Sequence, residues 1–295
     1  SAEWMIAMVA IFKVRAVPIN INFRYVEDEL TYLFDNADLV GLVHDRGYID
    51  RIEAVTANVP GLRHFVMIDD DSDLDPTRIG AVSWTDAIGA ASDERTELPR
   101  TDDDHYVLYT GGTTGMPKGV MWRHEDVFYA LGGGVDAYTN ERITHGHQLA
   151  EKAAATENPM VTLSAPPLMH GAAQWGALRF FFEGNTVVFV PRFSPETVFD
   201  EIERSKVTTL LITGDAMARP LVECLQENPD RWDLSSMFVL SSSAVTFSPS
   251  LKEQFFELMP NIIIVDAIGS SESGMNGMVV QSKGEILTNN GGPTV

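Results

Sequence analysis

The sequence predicts an α/β fold built on mostly parallel strands. Short β-branched runs alternate along the chain with longer amphipathic segments, which is the pattern of strands connected by helices. The chain of 295 residues is long enough for two subdomains, and its 44% of hydrophobic residues is typical of a globular protein. Strands are predicted at residues 39–44, 64–68, 106–110, 161–164, 186–190, 208–213, 237–241 and 261–266.

A serine–proline pair starts two of the predicted helices. At residues 194–196 the order Ser-Pro-Glu combines a hydroxyl cap, a proline suited to the first helical turn and an acid near the helix N-terminus. Residues 248–249 repeat the pair before the amphipathic residues 251–258. We therefore expect the side chains of Ser194 and Ser248 to cap these helices.

Residues 69–104 are rich in aspartate, glutamate, serine and threonine. We expect them to cross the surface between a first α/β subdomain, residues 1–100, and a second, residues 101–295. The aspartate run at residues 69–75 lacks the glycine and the glutamate that an EF-hand loop requires at its sixth and twelfth positions. A solvated acidic loop is the interpretation that fits.

Composition restricts the class of partner. The net charge is −21, from 21 basic and 42 acidic residues, which argues against nucleic acid or an anionic membrane as a general partner. It does not exclude ATP, because a local basic loop can hold phosphates. The apolar run at residues 4–12 is too short to span a bilayer, so no transmembrane segment is predicted. The single cysteine, Cys224, excludes an internal disulfide and indicates a reducing compartment, the cytoplasm.

Residues 109–120, with the sequence YTGGTTGMPKGV, form a candidate phosphate loop after a short apolar strand. Glycines let the backbone turn tightly and bring N–H groups close to a ligand, and successive amides form an anion-binding concavity. The threonines add hydroxyl donors, and Lys118 adds a mobile positive charge. The motif differs from a Walker P-loop, because two residues separate Gly115 from Lys118. We expect this loop, referred to below as the phosphate loop, to hold a polyphosphate.

Three further segments follow apolar strands or lie close to them, where open α/β sheets bind their ligands. They read DAIGSSESG at residues 266–274, SSSAVTFSP at residues 241–249 and APPLMHGAAQW at residues 165–175. Taken alone, the first of these is a weak signal, and its alternative is a strand-to-helix turn capped by Ser270 or Ser271. The second, taken alone, is an unremarkable turn. These segments indicate a ligand site only through their order and spacing along the chain.

Together the four segments resemble those of the adenylate-forming (AMP-binding) superfamily, which includes acyl-CoA synthetases, peptide-synthetase adenylation domains and beetle luciferases. The usual phosphate loop there is YTSGTTGxPKGV, and this chain departs from it only at Gly111. The AEW at residues 2–4 and the PINxNxRY pattern at residues 18–25 extend the resemblance over nearly the whole chain. Within this superfamily, the motifs of the chain most resemble those of bacterial enzymes that act on fatty or steroid-side-chain acids.

The resemblance implies the N-terminal lobe of the acyl-CoA synthetase fold, with two mostly parallel sheets, flanking helices and no C-terminal small domain. It implies ATP, Mg²⁺ and CoA as cofactors or co-substrates, and a bulky apolar carboxylic acid as substrate. Lys118 and Glu272 are implied to be catalytic, with Glu272 holding Mg²⁺, an ion for which one carboxylate is sufficient beside phosphates and water. His170, Gly171 and Ala172 are implied to border the acyl group. The implied ATP- and AMP-binding residues are Thr110, Gly111, Gly112, Thr113, Thr114, Gly115, Lys118, Ser242, Ser243, Ala244, Asp266, Ala267, Ile268, Gly269, Ser270 and Ser271.

The implied reaction is attack of a carboxylate on ATP to give an acyl-adenylate, followed by transfer of the acyl group to CoA. Two departures bear on it: Ile268 stands where an adenine-stacking aromatic is frequent, and no acid lies between Glu157 and Glu183 to pair with a substrate ammonium. The second departure argues against an α-amino acid as substrate.

Two alternative functions remain open. One is a non-catalytic module that binds a nucleotide or acyl-adenylate, and the other is an adenylating enzyme that loads a carrier-protein thiol. The chain ends before the family's ribose-binding aspartate and small domain, so we expect it to be an incomplete catalyst. A homodimer is compatible with the sequence.

Overall fold

The computed structural model describes residues 1–95, 97–111, 115–136 and 141–290, and they form an α/β structure. Residues Ala2–Arg123 form one compact unit, and the chain from His124 onward forms another. Among the described residues, the first unit has a three-stranded and a two-stranded sheet and the second a seven-stranded sheet, and each unit has its own apolar core.

The first unit contains four helices and five strands among the described residues. The helices are α1 (Ala2–Lys13), α2 (Glu27–Asn36), α3 (Ile49–Thr56) and α4 (Trp84–Ala90). The strands are β1 (Gly41–Asp45), β2 (His64–Ile68), β3 (Val82–Ser83), β4 (His105–Thr110) and β5 (Lys118–Arg123). Short 3₁₀ helices cover Arg46–Tyr48 and Pro76–Ile79.

In this unit β1, β2 and β3 form a parallel sheet, whereas β4 and β5 form a separate antiparallel pair. Helices α2 and α3 present apolar residues at helical spacing, and these pack with Phe65 of β2 into one buried cluster. The helical members are Leu30, Leu33, Phe34, Ile52 and Val55. Tyr109 of β4 belongs to the same cluster, so the strand that precedes the phosphate loop is anchored in the core.

The second unit contains six helices and seven strands among the described residues. The helices are α5 (His124–Leu131), α6 (His147–Ala155), α7 (Gly171–Phe182), α8 (Pro195–Ser205), α9 (Gly214–Glu227) and α10 (Pro249–Leu258). The strands are β6 (Val161–Ser164), β7 (Thr186–Phe189), β8 (Thr209–Ile212), β9 (Val239–Ser242), β10 (Ile263–Ser270), β11 (Gly274–Ser282) and β12 (Glu285–Asn290).

These strands form one sheet in the order β12-β11-β10-β9-β8-β6-β7. Neighbours from β10 to β7 are parallel, and β11 and β12 extend the sheet with antiparallel pairs. Leu210, Leu240 and Ile264 occupy matching positions on three neighbouring strands and are buried against α8, α9 and α10. Because the strands from β10 to β7 run in the same direction, their carboxyl ends lie along one edge of the sheet.

The eight predicted strands are all present, with small differences at their ends. The predicted cap of α8 is confirmed, because the Ser194 hydroxyl accepts the N–H of Thr197. The predicted cap of α10 is wrong: the Ser248 side chain makes no capping hydrogen bond. Its backbone N–H instead donates to Asp215, so this serine is held through the main chain.

The acidic segment lies on the surface. Every described residue from 69 to 104 is exposed or half-buried. Two of its carboxylates bond to other residues of the first unit. Asp69 forms an ion pair with Arg46, and Asp75 accepts the N–H of Thr77 at the start of a 3₁₀ helix. Within the described residues, no helix has both the length and the apolar character needed to cross a membrane.

Candidate functional site

The phosphate loop is the connection between two antiparallel strands, β4 and β5. Thr110, the last residue of β4, is paired with Lys118, the first residue of β5. Lys118 and Gly111 are both exposed. Gly115 has a φ of 145°, a conformation that L side chains rarely adopt, which accounts for glycine there. Three of the predicted ligands lie outside the described residues: Gly112, Thr113 and Thr114.

The start of the phosphate loop is fixed by two asparagines that the sequence alone did not single out. The backbone N–H of Tyr109 donates to the side-chain oxygen of Asn20 at 2.9 Å, in a buried position. The Tyr109 hydroxyl donates to the side-chain oxygen of Asn36 at 2.7 Å. Burial raises the pKa of Tyr109, so it remains a donor. The PINxNxRY pattern at residues 18–25 was the only sequence signal for Asn20, which is far from Tyr109 along the chain.

Close packing at the other side of the loop requires glycine. Gly119 of β5 lies opposite Tyr109 of β4. A Cβ on Gly119 would lie 2.8 Å from Cγ1 of Val107 and 3.1 Å from the Tyr109 ring. The fourth glycine of the motif is therefore explained by strand packing, with no need for a ligand contact.

Residues 241–248, which comprise the last two residues of β9 and the turn after it, are called the serine loop below. Ser242 is fully buried, and its hydroxyl accepts the N–H of Gly214 at the start of α9 at 3.0 Å. The hydroxyl of Ser243 is buried and has no partner within the described residues. Ala244 is exposed and has a φ of 73°. Of the three predicted ligands in this loop, Ser242 uses its hydroxyl inside the protein, whereas Ala244 faces outward.

The segment DAIGSSESG forms part of a β-hairpin. Its first five residues, 266–270, lie within β10, which continues beyond the predicted end at residue 266 because β11 pairs with it. Ser271 and Glu272 lie in the turn before β11, and Glu272 is exposed. The hydroxyl of Ser270 accepts the N–H of Ser273 at 3.1 Å. Ser270 thus stabilises the turn that presents Glu272.

The middle of this hairpin is irregular. The register of β10 against β11 shifts between Ile268 and Gly269. A Cβ on Gly269 would overlap the carbonyl oxygen of Gly274, so the two strands approach too closely for any side chain there. Ile268 is 64% exposed, which leaves an apolar side chain facing outward at the position where the family often has an aromatic.

Asp266 joins the hairpin to the serine loop. It is paired in register with Ser242, the last residue of β9. Its carboxylate accepts a hydrogen bond from the Lys252 ammonium at 2.6 Å, and Lys252 also lies over the ring of Phe247 at 5.3 Å from the centroid. Sequence reasoning did not single out Lys252. It stands at an amphipathic helix position that gave no signal of its partner.

His170 lies immediately before α7, at its N-cap. Its backbone N–H donates to the carbonyl of Pro167, and its carbonyl accepts the N–H of Gln174. Gly171 and Ala172 form the first turn of α7, which packs on β6 and β7. His170 and Ala172 are exposed. This arrangement leaves small residues beside the histidine at the carboxyl end of β6.

Within the second unit, the serine loop, the β10–β11 hairpin and the start of α7 thus all lie at the carboxyl ends of the parallel strands of one sheet. The phosphate loop belongs to the first unit. Among the residues that the structure describes, no group of three or more His, Cys, Asp or Glu side chains is arranged to hold a metal ion. Glu272 would need oxygen ligands from elsewhere, such as a phosphate and water.

Comparison with known proteins gives close relatives. The chain is 47% identical over 294 residues to a 3-oxocholest-4-en-26-oate–CoA ligase of Rhodococcus rhodochrous, covering 98% of this chain and 52% of the relative. It is 49% identical over 296 residues to a medium/long-chain-fatty-acid–CoA/3-oxocholest-4-en-26-oate–CoA ligase of Mycolicibacterium smegmatis, covering 99% and 53%. The chain therefore spans about half the length of the curated relatives it matches.

Solved structures show the same fold. ATP-bound MatB from Rhodopseudomonas palustris matches with a TM-score of 0.72 at 22% identity, covering 99% of this chain and 52% of that one. A putative long-chain-fatty-acid CoA ligase from the same organism matches with a TM-score of 0.72 at 20% identity, covering 95% and 63%. The AMP-binding enzyme family matches residues 1–294. Since this match covers nearly the whole chain, the chain belongs to the AMP-binding enzyme family.

Proposed function

We propose that this chain is the ATP-binding part of an AMP-forming acyl-CoA synthetase that activates medium- or long-chain fatty acids or steroid-side-chain acids. The observation that carries the proposal is its identity of 47–49%, over 98–99% of its length, with CoA ligases named for such acids. An apolar acid agrees with the absence of acidic residues between Glu157 and Glu183. The single, buried Cys224 supports a reducing compartment such as the cytoplasm.

The phosphate loop is the proposed holder of the triphosphate. Half-buried Thr110 and exposed Lys118 stand at the two strand ends, and the exposed Gly111 and Gly115 lie between them. The hydroxyl of Thr110, the Lys118 ammonium and the loop amides are donors of the kind that bind phosphate oxygens. Their positive charge and N–H dipoles would offset the charge of the polyphosphate.

The serine loop and β10 are proposed to contact the adenine base of the nucleotide. Ser243, Ala244 and residues 266–271 lie on two adjacent strands and the turns after them. The exposed Ile268 offers an aliphatic surface for one face of the adenine. Because Asp266 is already bonded to Lys252, its role toward a nucleotide would be through the shape of β10 more than through a direct hydrogen bond.

Mg²⁺ is proposed to bind to Glu272 together with phosphate oxygens and water. Glu272 is exposed on a hairpin turn, which fits a single carboxylate ligand for an ion that keeps most of its other ligands from nucleotide and solvent. When bound, the ion would reduce the negative charge of the phosphates.

In the proposed reaction an oxygen of the substrate carboxylate attacks the α-phosphorus of ATP, and the bond from that phosphorus to the bridging oxygen of pyrophosphate breaks. The carboxylate is ionised at neutral pH, so no general base is needed. The difficulty is the approach of two anions, which Lys118 and the loop amides would ease. The CoA sulfur then attacks the acyl carbon, the bond from that carbon to the phosphate oxygen breaks, and AMP leaves while the thiol proton passes to solvent. His170 and the small residues Gly171 and Ala172 are the proposed border of the acyl group.

Calorimetric titration with non-hydrolysable acyl-adenylate analogues tests the proposal. Three analogues are compared, with a long-chain acyl, a steroid-side-chain acyl and an aminoacyl group. The long-chain or steroid analogue is expected to bind, and the aminoacyl analogue to bind at least about tenfold more weakly, since its ammonium would be buried without a partner. Lys118→Ala is expected to weaken binding, whereas Lys13→Ala, an exposed lysine at the end of α1, is the matched control.

The outcomes separate the candidate functions. Preference for the aminoacyl analogue, or equal affinity of wild type and Lys118→Ala, would contradict the proposal. Where the analogue binds, the acceptor is identified by supplying CoA or a pantetheinyl carrier protein to the full-length enzyme. Thioester formation on the carrier protein alone would favour the carrier-loading alternative.

A further inference from the structure

We propose that Asp215 is a positioning residue for nucleotide binding, because it fixes the serine loop in the conformation that the base requires. The inference rests on the proposed function and adds to it a residue outside all four motif segments. Asp215 lies in the first turn of α9, and its side chain is half-buried.

Three hydrogen bonds fasten the serine loop to the start of α9. The Asp215 carboxylate accepts the backbone N–H of Ser248 at 2.7 Å. The Asp215 N–H donates to the carbonyl of Thr246 at 3.0 Å. The Gly214 N–H donates to the hydroxyl of Ser242, also at 3.0 Å. Ser242 and Ser248, near the two ends of the serine loop, are thus bonded to the consecutive residues Gly214 and Asp215.

The loop backbone also lies against α9 without room for a side chain. Gly214 has a φ of 44°, and a Cβ there would overlap the carbonyl oxygen of Thr246 and lie 2.8 Å from that of Val245. Glycine at position 214 therefore allows the contact, and the carboxylate at position 215 maintains it. Hydrogen bonds to an ionised acceptor are shorter and stronger than neutral ones, which suits Asp215 to this role.

The loop needs such support, because its conformation is costly. Ala244 adopts a left-handed φ of 73°, which L residues avoid, and the Ser243 hydroxyl is buried without a partner within the described residues. Strained conformations persist only where the surroundings determine them, and they concentrate at functional sites. Between its fastened ends the loop exposes residues 244–246.

Asp215 can affect the proposed base site because the serine loop that it holds begins beside β10, the strand that carries Ile268. Ser242, bonded to Gly214, is paired with Asp266 on β10, two residues before the exposed Ile268. Without the Asp215–Ser248 bond, the exposed tip would be free to move relative to Ile268. We expect the loss to affect recognition of the base and to leave phosphate binding unaffected.

The test compares AMP with inorganic pyrophosphate as calorimetric ligands for the wild-type chain and for Asp215→Ala. The Asp215→Ala variant is expected to weaken AMP binding by about tenfold or more, the usual effect of losing a hydrogen bond to a charged group, with pyrophosphate affinity unchanged. Asp215→Asn keeps an acceptor oxygen and is expected to restore most of the AMP affinity.

A second variant removes the other half of the bond. Ser248 has a φ of −67°, the value that proline requires, so Ser248→Pro deletes the donor N–H without a change in φ. It is expected to weaken AMP binding as Asp215→Ala does, and the double variant to be no weaker than either. Ser194→Ala, which removes the cap of α8 in the same unit, is the control for lost stability, with AMP binding unchanged.

AMP affinity equal to wild type in Asp215→Ala and Ser248→Pro would overturn the positioning role. Equal weakening of AMP and pyrophosphate would also overturn it, because that pattern indicates a general structural defect. A wild-type chain that binds pyrophosphate and no AMP would contradict the proposed function itself, which is a different result from either of these.

Discussion

The Lys252 ammonium and the Asp266 carboxylate form an ion pair, 2.6 Å apart, between α10 and the middle of β10. Their side chains are only 13% and 23% exposed, so neither charge is well solvated. Such a pair is a weak source of stability by itself, but removing one partner leaves the other charge uncompensated. Through this pair, the position of Asp266 in the candidate site depends on α10, a helix outside the four motif segments.

Lys252→Met is expected to lower the free energy of unfolding of the second unit by about 2 kcal/mol, measured by urea denaturation. Adding Asp266→Asn should recover part of the loss, because the uncompensated charge is then removed. The matched control is Lys206→Met: Lys206 pairs with Asp233 at 2.8 Å, but both side chains are more than half exposed, so little change is expected. Equal losses in the two lysine variants would contradict the explanation.

Asn20→Ala is expected to destabilise the first unit by about 1–3 kcal/mol, since it leaves the buried N–H of Tyr109 without its acceptor. Thr56→Ala is the control in the same unit, because the Thr56 hydroxyl donates to the carbonyl of Glu53 in an exposed position, where water can replace it. Urea denaturation measures both. If the proposed function holds, Asn20→Ala also weakens pyrophosphate binding, because it loosens the start of the phosphate loop.

Gly119→Ala tests the close packing of β4 and β5. Its Cβ would force Val107 or the Tyr109 ring to move, and overpacking of this kind costs about 1–3 kcal/mol. Gly89 in α4 is the matched control, because nothing lies within 4 Å of a Cβ there and its φ is not positive. Gly89→Ala should stabilise the helix slightly. A neutral Gly119→Ala would show that the strand pair has more space than the structure indicates.

His44 is expected to make the stability of the first unit depend on pH. Burial, only partly opposed by the Asp45 carbonyl and by the charges of Asp45 and Asp70, lowers the pKa of His44 below 6.5. The unfolded chain then binds more protons than the folded chain below that pH. Stability is therefore complete above pH 6.5 and falls on acidification, by at most about 1.4 kcal/mol per pH unit.

The measurement is urea denaturation between pH 7 and pH 5. His44→Gln should flatten the dependence, whereas His64→Gln, at an exposed position on the neighbouring strand, should leave it as in wild type. Burial raises the pKa of Asp45, so that carboxyl acts with the opposite sign at lower pH, and the range is kept above pH 5 for this reason. An unchanged slope in His44→Gln would contradict the prediction.

The sequence was sufficient for elements that carry a local signal. The eight β-branched runs became strands, and Ser194 became a cap, because each depends on residues within a few positions. The phosphate loop could be recognised for the same reason. Ser248 shows where local reasoning failed: it shares the serine–proline pair of Ser194, but Asp215, 33 residues away, holds its backbone instead.

Strands that depend on distant partners were missed or shortened. The phosphate loop is predicted at residues 109–120 with no strand at its end, but pairing with β4 makes Lys118–Arg123 a strand, β5. β10 was expected to end at residue 266, because DAIGSSESG has the composition of a turn; pairing with β11 extends it to Ser270. The ion pair of Asp266 had no sequence signal, since an aspartate and a lysine 14 residues apart are common in any chain.

The pairing of Thr110 with Lys118 has a consequence for how the phosphate loop can vary. Surface loops ordinarily accept inserted and deleted residues. Here the two strand ends are in fixed register, and successive side chains of a strand point to opposite faces. If β5 slid by one position to absorb a deletion within residues 111–117, Lys118 would point to the other face of the strand pair. Gly119 would also leave its position opposite Tyr109, where there is no room for a side chain. The length of this loop is therefore as constrained as its composition.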